Sequence, residues 1–199
     1  MISSLKLRTV GAVLSLAMCA GAAAQNVDGT GKAPTMHIQE IHVQRVTIVT
    51  NEPFDTVVAR IDARIGHPDI VDFHKKIAAA RNEADMEQVI NPITKPDGLM
   101  EFARFDHGGI LRKESGQNAP RIIRIVAGNP LIMKEMVKHV ADAGSYAPIT
   151  ILIEERVDSV KISYDRMASY LAPYGDADAL KVAQKLDEKV EKILVDAAK

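Results

Sequence analysis

The run Asp106-His107-Gly108-Gly109 places a carboxylate beside an imidazole, the two groups of many acid–base sites. A carboxylate that holds a histidine in one tautomer supports its action as a general base, and paired glycines let a ligand approach the backbone. Adjacent residues of a strand point to opposite faces, however, so Asp106 would not readily orient His107. The composition favours a turn after a strand. A hydrolase or isomerase that uses His107 and a nearby carboxylate is therefore the alternative function.

A second polar group follows the last predicted strand. Tyr164, Asp165 and Arg166 are consecutive, and Tyr146 precedes them in the same half of the chain. Tyrosine and arginine are enriched where partners bind, so these four residues are candidates for a polar pocket or an interface. The favoured interpretation is that Asp165 caps a short helix over 166–171 while the tyrosines surround the core.

The run Gly128-Asn129-Pro130 is the sharpest structural signal in the chain. An asparagine side chain accepts a hydrogen bond from an early helical N–H, and proline presets φ at the first helical position. The apolar residues behind it recur at helical spacing, which predicts an amphipathic helix. They are Met133, Met136, Val137, Val140 and Ala141. Asn129 is a candidate binding residue, with a structural capping role as the favoured interpretation.

Six histidines raise the question of a metal site. No two of them have the i, i+4 spacing of a common helical ligand pair. The sequence also lacks a Gly-x-Ser-x-Gly motif, a phosphate-binding loop and a dinucleotide fingerprint. We therefore predict no metal and no cofactor. The histidines are His37, His42, His67, His74, His107 and His139.

Residues 1–24 have the parts of a secretory signal peptide. Lys6 and Arg8 precede an apolar run, and three alanines end the segment just before Gln25. The apolar run is shorter than the roughly 20 residues that span a bilayer, so a cleaved signal is favoured over a membrane anchor. We predict export to the periplasm with cleavage after Ala24, and no transmembrane segment in the mature chain.

Cys19 is the only cysteine, and it lies inside the predicted signal. The run before it resembles a bacterial lipoprotein box, but Met18 stands where that box needs a small residue, so lipidation is the less favoured alternative. Loss of residues 1–24 removes Lys6 and Arg8 and no acid, which changes the formal net charge from −1 to −3. Such a mildly acidic, well-mixed chain has no basic stripe for phosphates, and nucleic acid is excluded as a partner.

Periodicity beyond the signal predicts a flexible spacer over 25–42 and one domain over 43–199. The first helix is expected to begin at Asn51 and to end at Gly66, and a second to begin at Asp69. Runs of β-branched and other apolar residues predict the strands. These strands are 43–50, 99–105, 121–127, 149–155 and 160–164.

The connections complete the predicted architecture. Asn91-Pro92 and Lys95-Pro96-Asp97-Gly98 predict a loop. Gly108-Gly109 and residues 114–120 predict a hairpin-like connection between two strands. A long helix that begins at Asp176 or Asp178 closes the chain, and its apolar side can pack on its own sheet or on a second subunit. Together these elements predict an α+β fold: an antiparallel-dominated sheet with helices on one face.

Four segments, in this order, resemble the bacterial family catalogued as domain of unknown function 302. They are Thr50–Asp55, Arg124–Pro130, Ala147–Ile153 and Val160–Tyr164. The resemblance implies a small α+β domain similar to the TATA-binding-protein-like fold, often self-associating, with no agreed activity or catalytic residue. The segments Ser163–Met167 and Leu180–Leu194 resemble an extension found in a secreted sub-branch.

These observations predict an exported periplasmic protein without catalytic activity, which binds a small molecule or associates with the cell envelope. The residues of the predicted signal support export, and the missing catalytic motifs support the absence of catalysis. The resemblance favours a symmetric homodimer.

Overall fold

The computed structural model describes residues 34–94, 96–116 and 118–199. Residues 39–199 form one compact unit, and residues 34–38 have no regular secondary structure. The predicted signal over 1–24, including Cys19, lies outside the described residues. None of the described helices combines the length and the apolarity that a membrane crossing requires.

Five strands form one antiparallel sheet in the order β1-β5-β4-β3-β2. Side chains alternate between its faces, so that Ile149, Ile151 and Ile153 are buried while Thr150 and Leu152 between them are only partly buried. This sheet confirms the predicted α+β class. The strands are β1 (Arg45–Thr50), β2 (Met100–Asp106), β3 (Ile122–Gly128), β4 (Ile149–Glu155) and β5 (Val160–Asp165).

The helices and a short 3-10 turn (Ala172–Tyr174) connect and cover the strands. They are α1 (Phe54–Asp62), α2 (Ile70–Ala79), α3 (Glu83–Ile93), α4 (His107–Ser115), α5 (Pro130–Val137), α6 (Ala143–Tyr146), α7 (Met167–Leu171) and α8 (Ala177–Ala197). Helices α1, α5 and α8 share one apolar core with the inner face of the sheet. The pair α2–α3 adds a smaller cluster around Phe73, Ile90 and Met100.

The long helix α8 packs on its own sheet. Leu186, Val190, Ile193 and Leu194 are at most 4% exposed. Of the two packing partners that the sequence left open for this helix, the structure shows the intramolecular one. These four side chains are therefore covered by the rest of the chain.

The start of α1 differs from the expectation. Pro53 occupies the N-cap, and the side chain of Asn51 makes no capping hydrogen bond. Thr50 Oγ1 accepts a hydrogen bond from the Glu52 N–H instead, at 3.1 Å. The prediction of an Asn51 cap is therefore wrong, because the turn is held by the residue before it.

Gly66 does not end α1 but joins the sheet. It forms an isolated bridge with Met100, in which its N–H donates to the Leu99 carbonyl at 2.9 Å and its carbonyl accepts from the Glu101 N–H at 2.8 Å. A Cβ atom at this position would lie 1.6 Å from the Ile93 carbonyl oxygen. The glycine is needed for this close backbone approach, not for a helix stop.

Asn91-Pro92 lies inside α3, so the predicted loop is wrong at these two residues. Residues 96–98, in its second part, form a turn as predicted. The Asn82 side chain caps α3 by accepting the Asp85 N–H at 2.9 Å. Proline breaks helices locally, but here it stands in the last turn of α3. The burial of Ile90 against the Phe73 cluster holds this helix in place.

Candidate functional site

A largely apolar pocket of about 330 Å³ lies where β3 runs into α5. The junction from α6 to β4 and one turn of α8 close its sides. The lining residues are Phe102, Gly128, Asn129, Pro130, Ile132, Met133, Met136, Val137, Gly144, Ala147, Pro148, Ile149 and Leu186. Its size falls at the lower end of the roughly 300–1,000 Å³ of small-molecule sites.

Asn129 builds the corner of this pocket. Its Oδ1 accepts the Leu131 N–H at 2.8 Å, which caps α5 as the sequence predicts, and its Nδ2 donates to the Gly98 carbonyl at 2.9 Å. A Cβ on Gly128 would lie 3.1 Å from Pro148 Cβ, so this glycine allows the end of β3 to approach Pro148, just before β4, beside the pocket. The amide of Asn129 is thus bonded at both ends within the protein.

The chemistry of the lining favours binding over catalysis. None of the described residues that line the pocket is an acid, a base or a nucleophile. Met133 and Met136 offer flexible, polarisable walls that adapt to ligand shape. Removal of apolar ligand surface from water is the interaction that such walls provide.

Asp106 and His107 do not form an acid–base pair. The expected hairpin connection is wrong, because Asp106 caps a helix, α4: its Oδ1 accepts the Gly109 N–H at 2.7 Å and its Oδ2 accepts from Arg112 Nη2 at 3.1 Å. The imidazole of His107 stacks on the Phe105 ring, with centroids 6.1 Å apart. The Asp106 carboxylate binds the Gly109 N–H and Arg112, and it does not orient His107.

Tyr164 lies in the core at 1% exposure and does not line a pocket or an interface on the surface. Its hydroxyl donates to Asp187 Oδ1 at 2.5 Å. Asp187 also accepts the Met167 N–H at 2.7 Å and the Ala168 N–H at 3.0 Å, so it caps α7 from a different helix. The prediction that Asp165 caps this helix is wrong. Burial raises the pKa of the Asp187 carboxyl and of the Tyr164 hydroxyl.

Asp165 and Arg166 make separate ion pairs. Asp165 binds Arg45 through two contacts of 2.6 and 2.8 Å, which join β5 to β1, and this guanidinium lowers the pKa of the Asp165 carboxyl. Arg166 binds Glu191 of α8 at 2.6 and 3.0 Å. With Tyr164 inside the core, the three consecutive residues have three different partners and form no common site.

Tyr146 and Asp165 are the two predicted residues that the structure brings to one place. They border a cavity of about 280 Å³ beside Tyr170. Tyr146 stacks on Tyr170 at 4.8 Å between centroids, and its hydroxyl lies 2.7 Å from that of Tyr174. The tyrosines and Asp165 are thus bonded within the protein. Arg124 also lines the cavity, and its guanidinium donates to Thr150 Oγ1 at 3.2 Å.

The histidines are scattered. Among the described residues, no group of three or more His, Cys, Asp or Glu side chains is placed to hold a metal ion. His67 Nε2 lies 3.0 Å from the Asp62 carbonyl oxygen, and His139 Nδ1 lies 3.8 Å from Asp176 Oδ1.

Sequence reasoning missed Asp187, although a signal was present. Its spacing from Ala183 and Val190 places it on the apolar side of α8, where an acid needs internal partners. It also missed the pocket, because the lining comes from six separate elements and its residues are those of an ordinary core.

Comparisons with known proteins address the family and the fold. A family model described as "Domain of unknown function DUF302" matches residues 75–197. That range includes the Leu180–Leu194 segment, so α8 belongs to the matched region and is not an extension beyond it. No curated protein matches the chain. The crystal structure of an uncharacterized conserved DUF302 protein from Bacillus stearothermophilus is similar at 10% identity and a TM-score of 0.54, covering 78% of this chain and 98% of that one, which shows a shared fold.

Proposed function

Because the chain belongs to the family described as domain of unknown function DUF302, we propose its function from the geometry: it is a non-catalytic domain that binds a small, mostly apolar ligand. The observation that supports this proposal is the apolar pocket at the junction of β3 and α5, which α6 and α8 border. It combines apolar walls with an opening to solvent.

The apolar walls of the pocket also favour ligands whose surface is uncharged. Ile132, Met133 and Val137 are half-buried on α5, while Met136 below them is fully buried. Each methylene group that a ligand buries against such walls contributes about 0.8 kcal/mol. A flexible apolar chain fits these walls better than a polar, multiply hydrogen-bonded molecule does.

Octan-1-ol is a suitable neutral probe, and Gly144 offers a matched pair of variants. A Cβ there would lie 3.8 Å from Val137 Cγ2, which is ordinary contact, so Gly144→Ala fits while Gly144→Phe projects over the pocket. We expect calorimetry to show saturable octanol binding to the native protein and to Gly144→Ala, weakened about tenfold or more in Gly144→Phe. Absence of binding, or equal binding by both variants, would contradict the proposal.

Export is the second part of the proposed function. The cationic start, the apolar run and the alanines before Gln25 support it. Intact-mass measurement on protein recovered from the periplasm should show the loss of residues 1–24. A diacylglyceryl mass on Cys19 would instead identify an envelope lipoprotein.

Self-association as a homodimer is the third part of the proposed function. The apolar side of α8 is buried within the chain and does not form the dimer contact. Exposed apolar side chains around the end of β2 support a different contact: Phe105, Ile110 and Leu111 are 46, 66 and 40% exposed. We expect light scattering to give a dimer mass that Phe105→Asp reduces. A native monomer mass that does not vary with concentration would exclude the dimer.

A further inference from the structure

A second, shallow depression of about 560 Å³ adjoins the apolar pocket along α8. The side chains of Ile132 and Leu186 line both spaces, so they form the boundary between them. Lys185 and Lys189 line the second space only. A molecule that extends over this boundary therefore passes from apolar walls to cationic ones.

Lys189 lies beside Gly98, which adjoins the corner of the pocket. Its Nζ lies 3.2 Å from the position that a Cβ on Gly98 would occupy. The carbonyl of Gly98 accepts a hydrogen bond from Asn129, which lines the pocket. One backbone residue thus connects the ammonium group to the pocket corner.

The acids beside these lysines are mostly committed to other cations. Asp97 pairs with Arg64, and Asp196 binds Lys192 and Lys199 at 2.7 Å each. The hydrogen bond and charge of Arg64 lower the pKa of the Asp97 carboxyl, and the charges of Lys189 and Lys192 lower it further.

Lys185 and Lys189 make no ion pair with another residue in the described part of the chain, and they are therefore the cations available to a ligand. Glu188 is the exposed acid between them on α8. Glu188 provides a test of the charge effect. Removal of its negative charge should strengthen the binding of an anion, whereas removal of a lysine should weaken it.

We propose that the ligand is an amphipathic anion with a single apolar chain and a carboxylate head. The chain fills the apolar pocket, and the head crosses Ile132 and Leu186 to lie against Lys189 and Lys185. A pocket of about 330 Å³ holds one short chain and not a two-chain lipid. Lys185, Lys189 and the neighbouring Glu188 together have a net charge of +1, which suits a monoanion better than a dianionic phosphate. This inference rests on the proposed function.

Octanoate and octan-1-ol have the same chain length and differ in head group, so together they separate the two proposals. We expect octanoate to bind the native protein about fivefold more tightly than octanol at low salt. The double variant Lys185→Gln/Lys189→Gln should lose this preference while its octanol affinity stays unchanged. Glu188→Gln should keep the preference or increase it about twofold. Near 1 M salt, where the Debye length is about 3 Å, the preference should fall.

The outcomes are distinct. Equal affinities for the two probes, or a preference that survives in the double variant, would overturn the anionic head while the apolar pocket stands. Tighter octanoate binding in the double variant than in Glu188→Gln would reverse the sign of the charge effect and also overturn it. Failure of both probes to bind would overturn the proposed function itself.

Discussion

Two regions of this protein use one side chain to cap a helix, and their surroundings differ. Asp187 caps α7 from a distant helix, is 5% exposed and accepts three hydrogen bonds. Asn129 caps α5 from the preceding position and borders an apolar pocket. The first region fills its space with bonded polar groups, whereas the second leaves a volume that its apolar walls do not fill.

This difference shows where binding is to be sought. A buried carboxylate with all its partners inside the protein anchors elements, and Tyr164, a candidate for chemistry by residue type, belongs to that anchor. The pocket beside Asn129 consists of residues that by type belong to a core. Side-chain chemistry by itself therefore points to the wrong region, and unfilled apolar space identifies the better one.

The largest expected effect is that of Asp187→Ala. It leaves the Tyr164 hydroxyl and two N–H groups of α7 without their acceptor, and each unsatisfied buried donor costs about 1–3 kcal/mol. We expect the free energy of unfolding to fall by about 4 kcal/mol in urea titration. Asp187→Asn keeps an acceptor and should lose less. A loss below about 1 kcal/mol for the alanine variant would show that Asp187 is not an anchor.

Met136→Ala tests the pocket side of the comparison. Met136 is fully buried and lines the pocket, so its truncation enlarges the space and should lower stability by about 3 kcal/mol. The enlarged pocket should accept decan-1-ol more tightly relative to octan-1-ol than the native pocket does. An unchanged ratio of the two affinities would mean that the alcohols bind elsewhere.

Asn129→Ala sharpens the contrast between capping and binding. Loss of the cap should cost about 1 kcal/mol of stability, measured by thermal or urea unfolding. Octanol should still saturate the folded variant, because the amide of Asn129 is already bonded to Leu131 and Gly98. Lost binding at unchanged stability would assign Asn129 to the ligand.

The smallest effect concerns Asp165, which lies in neither region and is partly exposed. Arg45 lowers the pKa of its carboxyl, so the unfolded chain takes up this proton first as the pH falls. The pair therefore stabilises the fold above about pH 4, and this contribution is lost as the pH falls further, through the folded pKa. Arg45→Gln should lower stability by less than about 1 kcal/mol at pH 7 and show a smaller loss on acidification, as urea titrations at pH 7 and pH 3 will measure. If the native protein and Arg45→Gln lose the same stability between pH 7 and pH 3, the Arg45–Asp165 pair does not contribute to the acid sensitivity of the fold.

Much of the fold follows from local patterns. The strands β3, β4 and β5, the Asn129 cap and the long helix α8 each rest on a run whose periodicity or capping residue is local, and all are present. Proline and glycine gave wrong predictions of helix boundaries where tertiary packing determines the conformation. Pro92 stays helical because Ile90 is buried in the α2–α3 cluster, and Gly66 enters a bridge instead of ending a helix.

The sequence by itself determined the α+β class, the helix start at Asn129 and the family. It narrowed the start of α8 to Asp176 or Asp178, and the structure decided for Asp176. Only the tertiary structure decided which polar residues meet. Asp187 reaches α7 across 20 positions of the chain, and the pocket walls come from β2, β3, α5, α6, β4 and α8. The physical reason is that caps and amphipathic patterns depend on neighbours within a few residues, whereas buried hydrogen bonds and cavities depend on how distant elements pack.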